Sequence, residues 1–248
     1  MKETIIQCLR QLEQQNGISI LYACELGSRA YGYETKTSDY DIRFIFQYPI
    51  ASYIGINPIK ESIQYNHGQM ECHGWDIKKA AQLAKKSNPS LIEWLQSPII
   101  YLDQKRFSQK FFDRCKESYD LSTLRKHYER MFTKNIEQVR EGKFKMLLHA
   151  IRSLLAIQYM IHEQKIPPVQ LSKLLLYITD DQIKETYEAV IFEAKRNRGI
   201  TGETLEQMIK TCRLHFDQLS MCPLMLNEHQ QSSSSYHEFV VNWVLDNE

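Results

Sequence analysis

The stretch GSRAYGYETKTSDYDIRFIF, residues 27–46, opens on a glycine-serine turn and closes in an apolar run, with two carboxylates one residue apart where the run begins. If residues 40–48 form a strand, the twofold alternation of side chains puts Asp39, Asp41 and Arg43 on one face. Tyr40, Ile42, Phe44 and Phe46 then lie on the other. The apolar set suits a core; the charged set needs another partner. Carboxylates held side by side repel, so they require a raised pKa or a cation, and the usual cation for oxygen ligands is a hard divalent ion such as Mg²⁺. A third acid is available on a later run. Glu71, in QMECHGW, is flanked by Met70 and Cys72, an unusual setting for a charge that merely meets water.

The turn itself supplies a second chemistry. Glycine lets backbone approach a phosphate, the Ser28 hydroxyl and neighbouring N–H groups can bond its oxygens, and a helix starting there presents its positive end. GSRAYG lacks the third glycine of the dinucleotide fingerprint and the Gly-Lys-Ser/Thr of a P-loop, so Gly27-Ser28 gains meaning only from its position before Asp39 and Asp41. Arg29 lies in the turn and Arg43 shares the aspartates' face. Each reads either as a phosphate contact or as an ion-pair partner of the acids.

Outward from this stretch, the hydrophobic period changes once. Before residue 104, β-type runs (ISILYACEL, YDIRFIFQY, SIQYNHGQMECHGW) mix with helical patterns; from Gln104 onward the i, i+3, i+4 spacing dominates. The expectation is an α+β chain: a head of strands and helices over residues 1–103, then an all-helical domain over 104–248. Glu3 to Gln15 reads as a first helix stopped by Asn16-Gly17. Asn66 to Gly68 reads as the turn of an antiparallel hairpin, Asp76 as an N-cap, and Asn88-Pro89 as the break before SLIEWLQS. Gln230 to Ser235 reads as a loop before a last helix. Trp75 and Trp94 read as core residues, His67 and His73 as hydrogen-bonded residues rather than ligands, and Tyr31 and Tyr33 as candidates for stacking on a nucleobase.

Composition excludes several classes. With 43% hydrophobic and 25% charged residues the chain is ordinary for a globular protein, and no stretch approaches the roughly 20 apolar residues of a membrane span. The N-terminal segment lacks signal-peptide features, so a cytoplasmic location is expected. Six scattered cysteines form neither a zinc pattern nor a disulfide framework. The net charge of +1 gives no overall pull on polyanions, but Arg125 to Arg152 carries eight Lys or Arg against three Glu, with Lys126, Arg130, Lys134 and Lys143 in its first part. Lys145 and Arg152, two helical turns apart, share a face.

Gly27-Ser28, Asp39-x-Asp41 at a strand entrance and a later strand acid resemble the signature of the DNA polymerase beta nucleotidyltransferase superfamily. More narrowly, GSRAYGYETKTSDYDIR, MECHGWDIKKA and SNPSLIEWLQSPIIY are similar to the RNA repair pathway DNA polymerase beta family, and KFKMLLHAIRSLLAIQYM with IPPV continues the likeness into the helical half. That family commonly has Asp where Glu71 stands and Lys-Lys where Lys145-Met146 stands. The resemblance implies an NTP-dependent nucleotidyltransferase with a polymerase-beta-like head, a mixed sheet with helices, followed by an all-helical domain. In it Asp39, Asp41 and Glu71 would hold two Mg²⁺ (or Mn²⁺) ions, and Gly27, Ser28, Arg29, Arg43, Lys145 and Arg152 would bind the nucleotide. The implied acceptor is RNA. Nucleotide transfer to a protein or small molecule, and a catalytically silent nucleotide-binding regulator, are the other readings.

Overall fold

Helix α1 (Lys2–Asn16) buries Ile5, Cys8, Leu9 and Leu12, and ends where Gly17 takes the left-handed conformation (φ 60°) and bonds its N–H to the Glu13 carbonyl. The structure is a computed structural model and describes residues 1–140, 144–196, 198–224 and 233–246. After α1 come β1 (Ser19–Glu25), α2 (Gly27–Tyr31), β2 (Tyr40–Gln47), α3 (Ile50–Ile54), β3 (Ser62–His67), β4 (Met70–Asp76), α4 (Ile77–Lys85), α5 (Pro89–Leu95) and β5 (Ile100–Asp103). The strands form one mixed sheet in the order β3-β4-β2-β1-β5. All neighbours are antiparallel except β2 and β4, which run parallel.

Ile42, Phe44 and Phe46 of β2 join Cys72 of β4 and Ile5, Leu9 and Leu12 of α1 in one buried cluster, so the expected alternation along β2 holds. Asp41 and Arg43 therefore project from the opposite face. Close packing leaves no side-chain room at Gly74: a Cβ there would lie 2.1 Å from the Phe44 ring. Trp75 and Trp94 are buried and stacked face to face, centroids 3.7 Å apart. The local signals are met as well. Asp76 caps α4 by accepting from Lys78 N–H, and Asn88 caps α5 by accepting from Leu91 N–H with Pro89 in the first turn. The β3–β4 reversal comes slightly later than the expected Asn66 to Gly68 turn, because β3 continues through His67.

The rest of the described chain is helical: α6 (Phe107–Ser118), α7 (Leu121–Arg140), α8 (Lys145–Glu163), α9 (Leu171–Leu174), α10 (Asp181–Lys195), α11 (Gly202–Ser220) and α12 (Ser233–Leu245), with short 3-10 turns at Gln104–Arg106 and Leu175–Tyr177. The chain is thus of the α+β class. Lys143 and residues 230–232, part of the expected basic run and loop, lie outside the described residues. Among the described residues no helix is long and apolar enough to cross a membrane.

By contacts the chain gathers into two units: Met1–Ala30, Ser38–Tyr119 and His229–Glu248 in one, Tyr31–Thr37 and Asp120–Glu228 in the other. Helices α6 and α12, which the expected 1–103 and 104–248 division assigns to the helical half, therefore gather with the sheet. Aromatic packing within that unit accounts for it. Phe111 stacks on Phe239 at 5.0 Å and Phe107 meets Trp243 edge-on at 4.7 Å.

In the helical unit a buried polar chain joins α8, α10 and α11. Gln158 donates its amide to the Tyr177 carbonyl, which leaves Oε1 to accept from His215 Nε2 at 2.5 Å; His215 Nδ1 then accepts from the Tyr187 hydroxyl at 2.8 Å. The imidazole is therefore neutral, and burial lowers its pKa from 6.5 to about 4. A base depressed on folding contributes stability above its unfolded pKa and loses it as pH falls toward the folded value. Between pH 6.5 and 4 the urea stability of the protein should drop by about 2–3 kcal/mol from this group, and His215→Gln should make the profile shallower, leaving the contribution of His149, whose pKa burial also lowers to about 4. A wild-type profile level across that window would contradict the assignment.

Candidate active site

The parallel pairing of β2 with β4 makes Asp41 and Glu71 direct register partners. Strand periodicity alone put Asp41 on a charged face; the pairing brings the third acid beside it. At the same point β1 ends, and the Leu26 N–H bonds the Asp41 carbonyl at 2.8 Å, which presses the following turn against β2. Gly27, at φ 64°, lies so close that a Cβ would stand 1.8 Å from Asp41 Oδ2. The glycine thus makes room for the carboxylate itself. Asp39 is exposed at the strand entrance, and the next residue is fixed there by Tyr40 N–H to the Gln69 carbonyl at 2.8 Å.

Arg43 stands between the two paired acids, with Nη2 3.3 Å from Asp41 Oδ1 and 3.0 Å from Glu71 Oε1. The Asp41 side chain is 27% exposed and that of Glu71 56%. Burial raises the Asp41 pKa; Arg43 opposes that rise, while Glu71 and Asp39 add to it by repulsion. His73, two residues beyond Glu71, has its pKa lowered by burial and then by Arg43 and Lys79, and meets the edges of Trp75 and Trp94. Among the described residues no three His, Cys, Asp or Glu side chains already converge as a metal cage. The donor chemistry nonetheless fits a hard divalent ion: Asp41 and Glu71 are adjacent carboxylates that present oxygen donors with no soft donor between them, and Arg43 supplies the positive charge they share.

Glu25, the last residue of β1, escaped the sequence reading. It is 1% exposed, faces Arg29 Nε at 3.4 Å through Oε1, and accepts the Tyr101 hydroxyl on Oε2. Burial raises its pKa, a rise that the Tyr101 hydroxyl and the Arg29 charge oppose. The available signal was an acid closing the otherwise apolar ISILYAC run just before the turn. Arg29 also donates from Nη2 to the Ser38 carbonyl at 2.9 Å and lies 4.0 Å over the Tyr40 ring.

Lys145 and Arg152 belong to the helical unit. Lys145 is exposed. Arg152 is buried, its guanidinium 4.0 Å over the ring of Tyr31, which also meets His149 and Tyr33. Tyr31 and Tyr33 are themselves buried, so the expectation that they offer free faces to a nucleobase is corrected: Arg152 and its neighbours occupy that surface.

The chain as a whole is similar to known proteins. A nucleotidyltransferase-like protein from Exiguobacterium sibiricum 255-15 is a weak structural likeness, with a TM-score of 0.36 and 13% identity over 96% of this chain and 79% of that one. The uncharacterized protein YcgL of Bacillus subtilis (strain 168) is 30% identical over 220 residues, 85% of each chain. With residues 1–238 matched by its model, the chain belongs to the RNA repair pathway DNA polymerase beta family, a family of nucleotidyltransferase type.

Proposed function

We propose that this chain is a cytoplasmic enzyme that transfers a nucleoside monophosphate from an NTP to an acceptor hydroxyl on RNA, using Asp39, Asp41 and Glu71 with two Mg²⁺ or Mn²⁺ ions. The observation that carries the reading is the register pairing of Asp41 with Glu71 beside the close approach of Gly27. Asp41 and Glu71 would hold metal, with Asp39 completing the set from the strand entrance. The ions would supply Lewis-acid stabilisation of the attacking and leaving oxygens. Arg43, now bridging the two acids, keeps their charges balanced in the free protein and turns toward phosphate when they are otherwise engaged. The Gly27 and Ser28 amides and the Ser28 hydroxyl take phosphate oxygens, and Lys145 and Arg152 are proposed nucleotide-binding residues of the helical unit.

For the acceptor, Lys126, Arg130 and Lys134 form an exposed stripe at i, i+4, i+8 on α7, lining a shallow groove with Thr133 and Glu137. Arg125 is committed elsewhere: it pairs with Glu129 at 2.7 Å and donates to the Leu219 and Cys222 carbonyls. So few free cations predict weak, salt-sensitive RNA binding. The test supplies labelled NTPs with Mg²⁺ or Mn²⁺ and total RNA or protein, using wild type and a Lys126→Ala, Arg130→Ala, Lys134→Ala variant. Label in RNA, reduced in the variant and by added salt with NTP affinity unchanged, is the expected result. Label in protein, indifferent to both, would replace RNA with a protein acceptor.

A further inference from the structure

We infer that Glu25 and Arg29 act as a clamp that positions the entrance of β2, a role that rests on reading Asp39 and Asp41 as the transfer site. Three engagements of the Arg29 guanidinium lie on this segment and its neighbour: Nε faces Glu25, Nη2 holds the Ser38 carbonyl, and the plane covers the Tyr40 ring. Ser38 and Tyr40 are the residues on either side of Asp39. A planar guanidinium can fork between a carboxylate and a carbonyl while stacking on an aromatic face, which an ammonium cannot. Arg29 is thereby a positioning residue rather than a phosphate contact.

Glu25 is the fixed end of the clamp. Its N–H bonds the Ile99 carbonyl at 2.9 Å, its carbonyl accepts the Ser97 hydroxyl, and Tyr101 holds the second carboxylate oxygen. Burying a carboxylate at 1% exposure is costly and gives no assured gain in stability. What the charge does here is orient Arg29. The residues between the clamped ends, Tyr31–Thr37, gather with the helical unit while Ser38 returns to the sheet unit, so the chain re-enters at the point where Arg29 grips it.

The experiment uses the full chain as wild type, Glu25→Gln, Arg29→Met, the double variant, and Arg29→Lys. Hydrogen exchange of the segment 38–41 is expected to be about 10-fold faster in Arg29→Met and Glu25→Gln, no faster in the double variant than in Arg29→Met, and intermediate in Arg29→Lys. Turnover should fall about 10-fold or more while NTP Kd stays within about 2-fold, because misplacement of the acids costs rate rather than binding. Exchange unchanged in every variant that melts as a folded protein overturns the clamp. So does a raised NTP Kd with unaltered turnover, which would make Arg29 a phosphate contact. Wild type that transfers nucleotide to no acceptor overturns the transferase reading instead, and the exchange measurement still decides whether the clamp exists.

Discussion

Asp41→Asn should reduce nucleotide transfer by about 100-fold or more while leaving the protein folded. Asparagine keeps the shape of the side chain, so it fits against Gly27 and can still accept from Arg43. What it loses is the charge that Asp41 shares with Glu71 and Asp39. Relief of like-charge repulsion should leave stability unchanged or slightly raised, since burial and both neighbouring acids disfavour the ionised form. Turnover and a thermal melt on the same preparation check both halves. Undiminished turnover in a folded Asp41→Asn protein would remove Asp41 from the catalytic set.

Gly27→Ala should be nearly as damaging to transfer, for a steric reason. The new methyl would start 1.8 Å from Asp41 Oδ2 and 2.7 Å from its Cγ, and the backbone at φ 64° is unfavourable for any residue with a Cβ. Either the carboxylate turns away or the turn moves off β2, and each displaces the candidate ligand from Glu71. Activity should fall by about 100-fold, with a stability loss on the order of 1–3 kcal/mol. An alanine variant with wild-type turnover would mean that the Asp41 position seen here is not the one used in the reaction.

Features written within a few residues were legible from sequence. Gly17, Asp76 and Asn88 do what their local hydrogen bonds require, and the alternation of Ile42, Phe44 and Phe46 with Asp41 follows from strand geometry alone. What required the folded chain was pairing. Nothing in QMECHGW states that β4 lies parallel to β2 in the register that sets Glu71 against Asp41, and the four residues of β5 are too few for a period to show. Glu25 was hidden for the same reason, since its partners Arg29 and Tyr101 come from a turn and a distant edge strand. Arg43 could be placed on the right face but not between two acids. Tyr31 was misread because its covering residue, Arg152, is more than a hundred positions away, and Tyr33 with it because it packs on Tyr31.

The return of α12 to Phe107 and Phe111 has a bearing on how the protein is made. The helical stretch from Asp120 onward is, in chain order, an insertion into the sheet unit, whose closing segment is translated after it. Chains ordinarily fold from the N-terminus as they emerge. Here the first unit begun is completed after the second: its strands and α6 leave the ribosome early, with an aromatic surface awaiting Phe239 and Trp243, and stay unfinished until α12 has followed them out.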